Sequence, residues 1–255
     1  MDLGIRGKTA VITGASAGLG EAVALALARE GVKVAVSARR LPLLEEVARR
    51  ARECGAPDAC ALAVDQTDPA ALAALVREAE RRLGPVDILV VNGGGPRPGR
   101  YTQVTPADWD QGYGLLLKSG LALVDAVLPG MRARRWGRIV ALTSLTVKQP
   151  LQTLVLSNTF RTALVAALKT LAGEVAAEGV TVNCIATGLV ETDRFRKLYG
   201  TPEQAAAAVA GIPMGRAATP EEFAPLVAFL CGAPAGYVTG QTVSIDGGLV
   251  SGLFG

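Results

Sequence analysis

One segment constrains this chain more than any other: Thr13-Gly14-Ala15-Ser16-Ala17-Gly18-Leu19-Gly20. It follows the apolar run 8–13 and leads into an amphipathic stretch, 18–29, that Gly31 closes. A glycine pattern alone says little, but between a buried strand and a helix it has a mechanical meaning. Gly14 permits a tight turn, Gly18 lets the backbone approach a diphosphate, and Gly20 lets helix and strand pack closely. The helix N-terminus then offers N–H groups and a partial positive charge to phosphate oxygens. Gly14, Ser16, Gly18, Leu19 and Gly20 are therefore expected to cradle the pyrophosphate of a dinucleotide.

The remaining chain repeats the same rhythm. Strands are expected at 8–13, 32–37, 59–64, 86–91, 138–143, 180–185 and 242–245, and helices at 18–29, 42–53, 69–83, 106–131, 155–178 and 220–231. Gly112, Gly114 and Gly120 weaken the fourth helix. The strands are continuous apolar runs, as in parallel strands covered by helices on both faces. Alternating β and α units predict an α/β three-layer Rossmann fold, a doubly wound parallel sheet of about seven strands. No linker or low-complexity segment divides residues 1–255, so a single domain is expected. The stretch 188–216, with Pro202, Gly211, Pro213 and Gly215, breaks the rhythm and is expected to be a mobile substrate lid.

Half of the residues are hydrophobic, and the net charge is +3. The basic residues are spread along helical stretches, which argues against nucleic acid as a partner. The N-terminus carries no apolar run fit for a signal peptide or membrane anchor, so a cytoplasmic protein without a membrane partner is expected. Histidine is absent, which removes Ser-His-Asp and Cys-His mechanisms. Cys54, Cys60, Cys184 and Cys231 form no Cys-x-x-Cys pair and read as structural thiols, with no metal site.

The second strand ends at Ser37-Ala38-Arg39-Arg40. An acid there would bind the ribose hydroxyls of NAD, whereas Ser37, Arg39 and Arg40 suit a 2′-phosphate, so NADP (NADPH) is expected over NAD.

Over nearly its whole length the sequence resembles the short-chain dehydrogenase/reductase superfamily. Besides the glycine motif, Asp65, Asn92-Gly93-Gly94, Trp109-Asp110, Arg138-Ile139-Val140, Thr143-Ser144, Val182-Asn183, Gly188, Pro213 to Arg216, Thr239-Gly240-Gln241 and Asp246-Gly247-Gly248 stand in family order. The nearest look-alikes are β-ketoacyl-acyl carrier protein reductases and a divergent subgroup similar to them. The resemblance implies hydride transfer between NAD(P) and a carbonyl or alcohol. It places Asp65 against adenine, and Asn92, Gly93, Gly94, Arg161 and Gly188 along the cofactor. It also implies a homotetramer built on the regions around 109–131, 155–178 and 240–255, the last ending in the apolar tail 249–254.

The family's catalytic set is Asn, Ser, Tyr and Lys. Ser144 matches the serine, but Ser157 stands for the tyrosine, Arg161 for the lysine and Leu116 for the asparagine; Thr187 replaces the usual proline. An alkyl hydroxyl is a poor general acid beside a tuned phenol, and arginine does not readily give up its proton. Lys148, four residues after Ser144, is a candidate acid/base, ahead of Tyr113 and Tyr101. Arg97 and Arg100 lie near the expected substrate entrance. The first expectation is an NADP-dependent oxidoreductase of the 3-oxoacyl-acyl carrier protein reductase type, acting on a small carbonyl or acyl-thioester substrate through a rebuilt proton donor, with Ser144, Ser157, Arg161 and Lys148 at its centre. The alternatives are a catalytically inactive dinucleotide-binding or scaffold protein and a lyase or isomerase on the same fold.

Overall fold

Apolar residues on neighbouring positions of each strand point to opposite sides, so every strand feeds two cores. The structure, a computed structural model, describes residues 1–253. Seven parallel strands, β1 (Thr9–Thr13), β2 (Lys33–Ala38), β3 (Ala59–Ala63), β4 (Ile88–Val91), β5 (Gly137–Leu142), β6 (Val180–Thr187) and β7 (Thr242–Ile245), lie in the order β3-β2-β1-β4-β5-β6-β7. Helices α1 (Gly18–Arg29), α2 (Leu41–Glu53) and α9 (Pro220–Cys231) cover one face. There Ile12, Val34, Val36 and Val90 meet Val23, Leu27, Leu44 and Phe223. On the other face Val11, Ala35, Leu89 and Ile139 meet Leu72 and Leu75 of α3 (Pro69–Leu83), and Leu123, Leu164 and Leu168 of the helices that follow.

The expected order and type of the strands stand, with ends displaced by one or two residues. β4 starts at Ile88, just after Asp87, whose carboxylate accepts the Thr9 N–H at 3.2 Å. The fourth helical region runs further than expected and is not uniform. It consists of α4 (Pro106–Tyr113), a π turn at Gly114–Lys118, and α5 (Ser119–Arg134). Its glycines serve close packing. A Cβ on Gly112 would lie 2.9 Å from the Phe160 ring, and one on Gly120 3.0 Å from Leu164, both on α6 (Val155–Val175). By length and apolarity 106–134 would suffice to cross a bilayer, yet here it packs beside α3 and α6. The segment 188–216 holds two short helices, α7 (Asp193–Leu198) and α8 (Pro202–Val209), capped by the Thr192 and Thr201 hydroxyls.

Burial pushes the Cys60 thiol up to about 11 and those of Cys184 and Cys231 up to about 12. Few thiolates form at neutral pH, and the thiolate is the reactive species. Titration of the native protein with a thiol-specific disulfide reagent is expected to modify only Cys54 within minutes, whereas all four cysteines react after denaturation. Rapid native modification of Cys184 or Cys231 would show that the cores open readily.

Candidate functional site

The sheet reverses its winding at β1, which pairs with β2 on one side and β4 on the other. The crevice beyond the carboxyl ends of these strands is where such folds bind ligands. The turn after β1 is held from both sides. Thr13 Oγ1 donates to the Asn92 carbonyl at 2.8 Å, Asn92 Nδ2 donates to the Gly14 carbonyl at 3.1 Å, and Ala15 N donates to the Ser37 carbonyl at 3.0 Å. A Cβ on Gly14, whose φ is +59°, would lie 2.8 Å from Asn92 Nδ2; one on Gly20 would lie 2.4 Å from the Gly14 carbonyl oxygen. The N-cap of α1 is Ala17, which supplies no side-chain acceptor. The first-turn N–H groups therefore keep their capacity for an external anion. Cradle and uncapped helix together fit the diphosphate of a nicotinamide dinucleotide.

Two residues of this wall carried no signal in the sequence reading. Gln66 Nε2 donates to the Asn92 carbonyl at 2.9 Å. Thr192, the cap of α7, stands against Gly18, whose hypothetical Cβ would lie 3.2 Å from its methyl. Both come from segments distant in sequence, and only the folded sheet brings them to the cradle.

At the adenosine end Arg39 and Arg40 are exposed, and Arg40 donates to Ser16 Oγ at 3.4 Å. Asp65 accepts from the backbone and the hydroxyl of Thr67, with Arg39 nearby, and these interactions hold its carboxyl below the usual range. Ser37 departs from expectation. It is wholly buried and its hydroxyl has no partner, so only its carbonyl serves the turn. The strand pleat turns the Ser37 side chain inward, and the positive groups at the edge are Arg39 and Arg40.

At the other end Ser144 caps the 3-10 turn Leu145–Val147, its Oγ accepting from Thr146 N at 3.2 Å. Ser157, buried on the first turn of α6, shares a 3.1 Å hydrogen bond with Thr146 Oγ1. The Ser157 hydroxyl thus bonds to the turn that follows Ser144. One turn on, Arg161 donates to the Leu142 carbonyl at 2.9 Å. Its side chain keeps partial solvent access, but surrounding protein and then the charge of Arg194 push the guanidinium down to about 10, still cationic at neutral pH. Lys148 is half-buried at the end of the Ser144 turn. Leu116 is buried in the π turn, beside a cavity of about 10 Å³ that Asn92, Gly93, Leu142 and Arg161 also line. That is close to the smallest volume that holds one water. Gly188 donates its N–H to the Ile245 carbonyl and abuts Asp246. Gly94 is open, with nothing near its hypothetical Cβ.

Tyr101 and Tyr113 are exposed in an aromatic cluster with Trp109 and Phe160. Arg97 is paired with Asp108 at 2.6 Å.

A seven-stranded parallel sheet with this glycine turn at its switch point defines a dinucleotide-binding α/β fold. The chain belongs to the short-chain dehydrogenase/reductase superfamily: residues 14–250 match the family model described as enoyl-(acyl carrier protein) reductase. It is 34% identical over 247 residues to the 3-oxoacyl-(acyl-carrier-protein) reductase FabG of Vibrio cholerae, covering 97% of this chain and 99% of that one. Among solved structures it resembles L-sorbose reductase from Gluconobacter frateurii, complexed with NADPH and L-sorbose, with a TM-score of 0.93 and 34% identity over 99% of this chain and all of that one. A 3-oxoacyl (acyl-carrier-protein) reductase from Agrobacterium tumefaciens with NADP bound matches with a TM-score of 0.91 and 31% identity over 96% of this chain and 95% of that one. These relatives are oxidoreductases, and two of the similar structures hold NADPH or NADP.

Proposed function

We propose that the protein reduces a carbonyl or acyl-thioester substrate with NADPH, through an active site in which the tyrosine-lysine pair is replaced. The observation that carries this reading is the intact cradle: Gly14, Gly18 and Gly20 at contact distance from Asn92, Thr192 and the turn itself, with Ser16, Arg39 and Arg40 beside it. When bound, the dinucleotide supplies a hydride. Arg161 stays charged, holds ribose hydroxyls with its fork of donors and favours negative charge developing on the substrate oxygen. Ser144 accepts from Thr146 N and keeps its own proton to donate to that oxygen. Lys148, half-buried at the end of the Ser144 turn, is the group assigned to deliver the proton.

Steady-state NADPH oxidation over a panel of ketones, oxo acids and acyl thioesters tests the activity. Saturable turnover supports it; bound NADPH with no turnover on any substrate supports the inactive scaffold. Two arginines at the 2′-phosphate predict a further result. Arg39→Ala with Arg40→Ala is expected to weaken NADPH by about 10- to 100-fold, at roughly 1.5–3 kcal/mol for hydrogen bonds to a charged group. NADH affinity stays near its starting value. Equal losses for both cofactors would remove the arginines from the 2′-phosphate.

The aromatic cluster Tyr101, Trp109, Tyr113 and Phe160 and the apolar helix 106–134 support assembly as a homotetramer. The apolar tail at 249–254 ends outside the described residues. Light scattering is expected to give four times the chain mass; a monomer mass would contradict the assembly.

A further inference from the structure

Ser144 lies at the middle of the segment 142–146, and both ends of that segment are fastened to one side of α6. At the first end the Arg161 guanidinium donates to the Leu142 carbonyl at 2.9 Å. At the second end Thr146 Oγ1 and Ser157 Oγ share a hydrogen bond of 3.1 Å. Residues 157 and 161 are four apart on the helix, so they stand one above the other on the same side. Two attachments fix both the position and the direction of the segment. With only one of them the segment can pivot, and Ser144 moves with it.

The second attachment is made inside the protein. Thr146 is 1% exposed and Ser157 5% exposed, so water hardly competes for their bond, and each hydroxyl gives the other a buried partner. The same threonine sets Ser144, whose Oγ accepts from the Thr146 N–H at 3.2 Å. The residue that holds Ser144 through its backbone is thus the one that α6 holds through its side chain.

We propose that the buried Thr146–Ser157 pair holds the Ser144 hydroxyl in register with Arg161, and that Ser157 acts through Thr146 rather than by passing a proton to substrate. The role in catalysis rests on the reductase reading above. Thr146 and Ser157 are then positioning residues, and Ser144 is the hydroxyl that meets the substrate oxygen. Misplacing such a group by about 1 Å costs up to about 10²-fold in rate.

Steady-state kinetics on Ser157→Ala, Thr146→Val, the double variant and Thr146→Ser tests the pair. Ser157→Ala and Thr146→Val each remove the bond with little change of volume, and each is expected to lower kcat about tenfold while KM for NADPH stays within about twofold. The double variant is expected to be no slower than either single one, because the same bond is lost in all three. Thr146→Ser keeps the hydroxyl and is expected to retain most of kcat. The pH profile of kcat keeps its inflections in Ser157→Ala, since the acid/base group is still present. Loss of all turnover in Ser157→Ala with Thr146→Val near full activity would make Ser157 the proton donor and overturn the proposal. Losses that multiply in the double variant, or full activity in both single variants, would overturn it too. Ser157→Ala, the smallest change, carries the comparison with Thr146→Ser should Thr146→Val not fold.

A second readout needs no substrate. Hydrogen exchange of the Thr146 amide is expected to be about tenfold faster in Ser157→Ala than in the unmodified protein, with exchange along β5 unchanged. If the unmodified protein turns over no substrate, the reductase reading falls. The exchange then decides by itself whether the pair holds the Ser144 turn, and an unchanged Thr146 amide would overturn it.

Discussion

Gly20→Val is expected to abolish measurable NADPH binding and lower stability. Even one carbon added at Gly20 would lie 2.4 Å from the Gly14 carbonyl oxygen and 2.8 Å from Ala15 Cα. Neither can yield cheaply, because Asn92 Nδ2 holds the Gly14 carbonyl and Ser37 holds the Ala15 N–H. The start of α1 must move away from β1, disturbing the packing of Val23 and Leu27 on Ile12 and Val34. Overpacking of this kind costs about 1–3 kcal/mol. Binding loses more, since each N–H to phosphate bond is worth roughly 1.5–3 kcal/mol and losing two weakens binding by about 10²- to 10⁴-fold. Fluorescence titration with NADPH and a thermal melt read the two effects. Gly173→Ala on α6 is the control, because its Cβ meets nothing within 4 Å and it is not among the residues expected along the cofactor. If Gly20→Val binds NADPH like the unmodified protein, the cofactor does not use this turn.

Arg161→Met is expected to reduce kcat/KM for the carbonyl substrate by about 10²- to 10³-fold, the range for removing a preorganised electrostatic stabiliser. Arg161 is oriented by the Leu142 carbonyl, one turn beyond Ser157. Methionine keeps much of the volume and removes every donor. Arg161→Lys is expected to recover part of the loss, since it restores charge without the fork. Steady-state kinetics on the three proteins, with NADPH affinity measured separately, divides ribose binding from catalysis. Unchanged kcat/KM in Arg161→Met would place the chemistry elsewhere in the cleft.

The glycine turn was legible because its meaning depends on local order: a strand, a turn and a helix adjacent in sequence. The sheet was legible because strands buried on both faces leave unbroken apolar runs, and Gly31 and Gly179 mark where helices stop. The burial of Ser37 was not legible, because adjacency to arginines in sequence does not say which way the pleat points. Gln66 and Thr192 escaped notice for the opposite reason. Each is an ordinary residue in its own segment and acquires a role only where the ends of β3, β4 and β6 converge. Gly112 and Gly120 read as helix weaknesses because propensity counts backbone freedom, whereas the fold uses the missing side chains to seat α4 and α5 on α6. Leu116, Ser157 and Arg161 are plain in the sequence, but the hydrogen bond between Ser157 and Thr146 required the fold.

The most direct measurement of the chemistry is isotope transfer from NADPH deuterated at the nicotinamide C4 position. Incubated with a panel of ketones, oxo acids and acyl thioesters, the unmodified protein is expected to place deuterium on the former carbonyl carbon of an alcohol product, with Ser144, Ser157 and Arg161 as its site residues. NADPH that binds tightly yet passes no label to any of these substrates would contradict the reductase and leave a dinucleotide-binding protein without this activity.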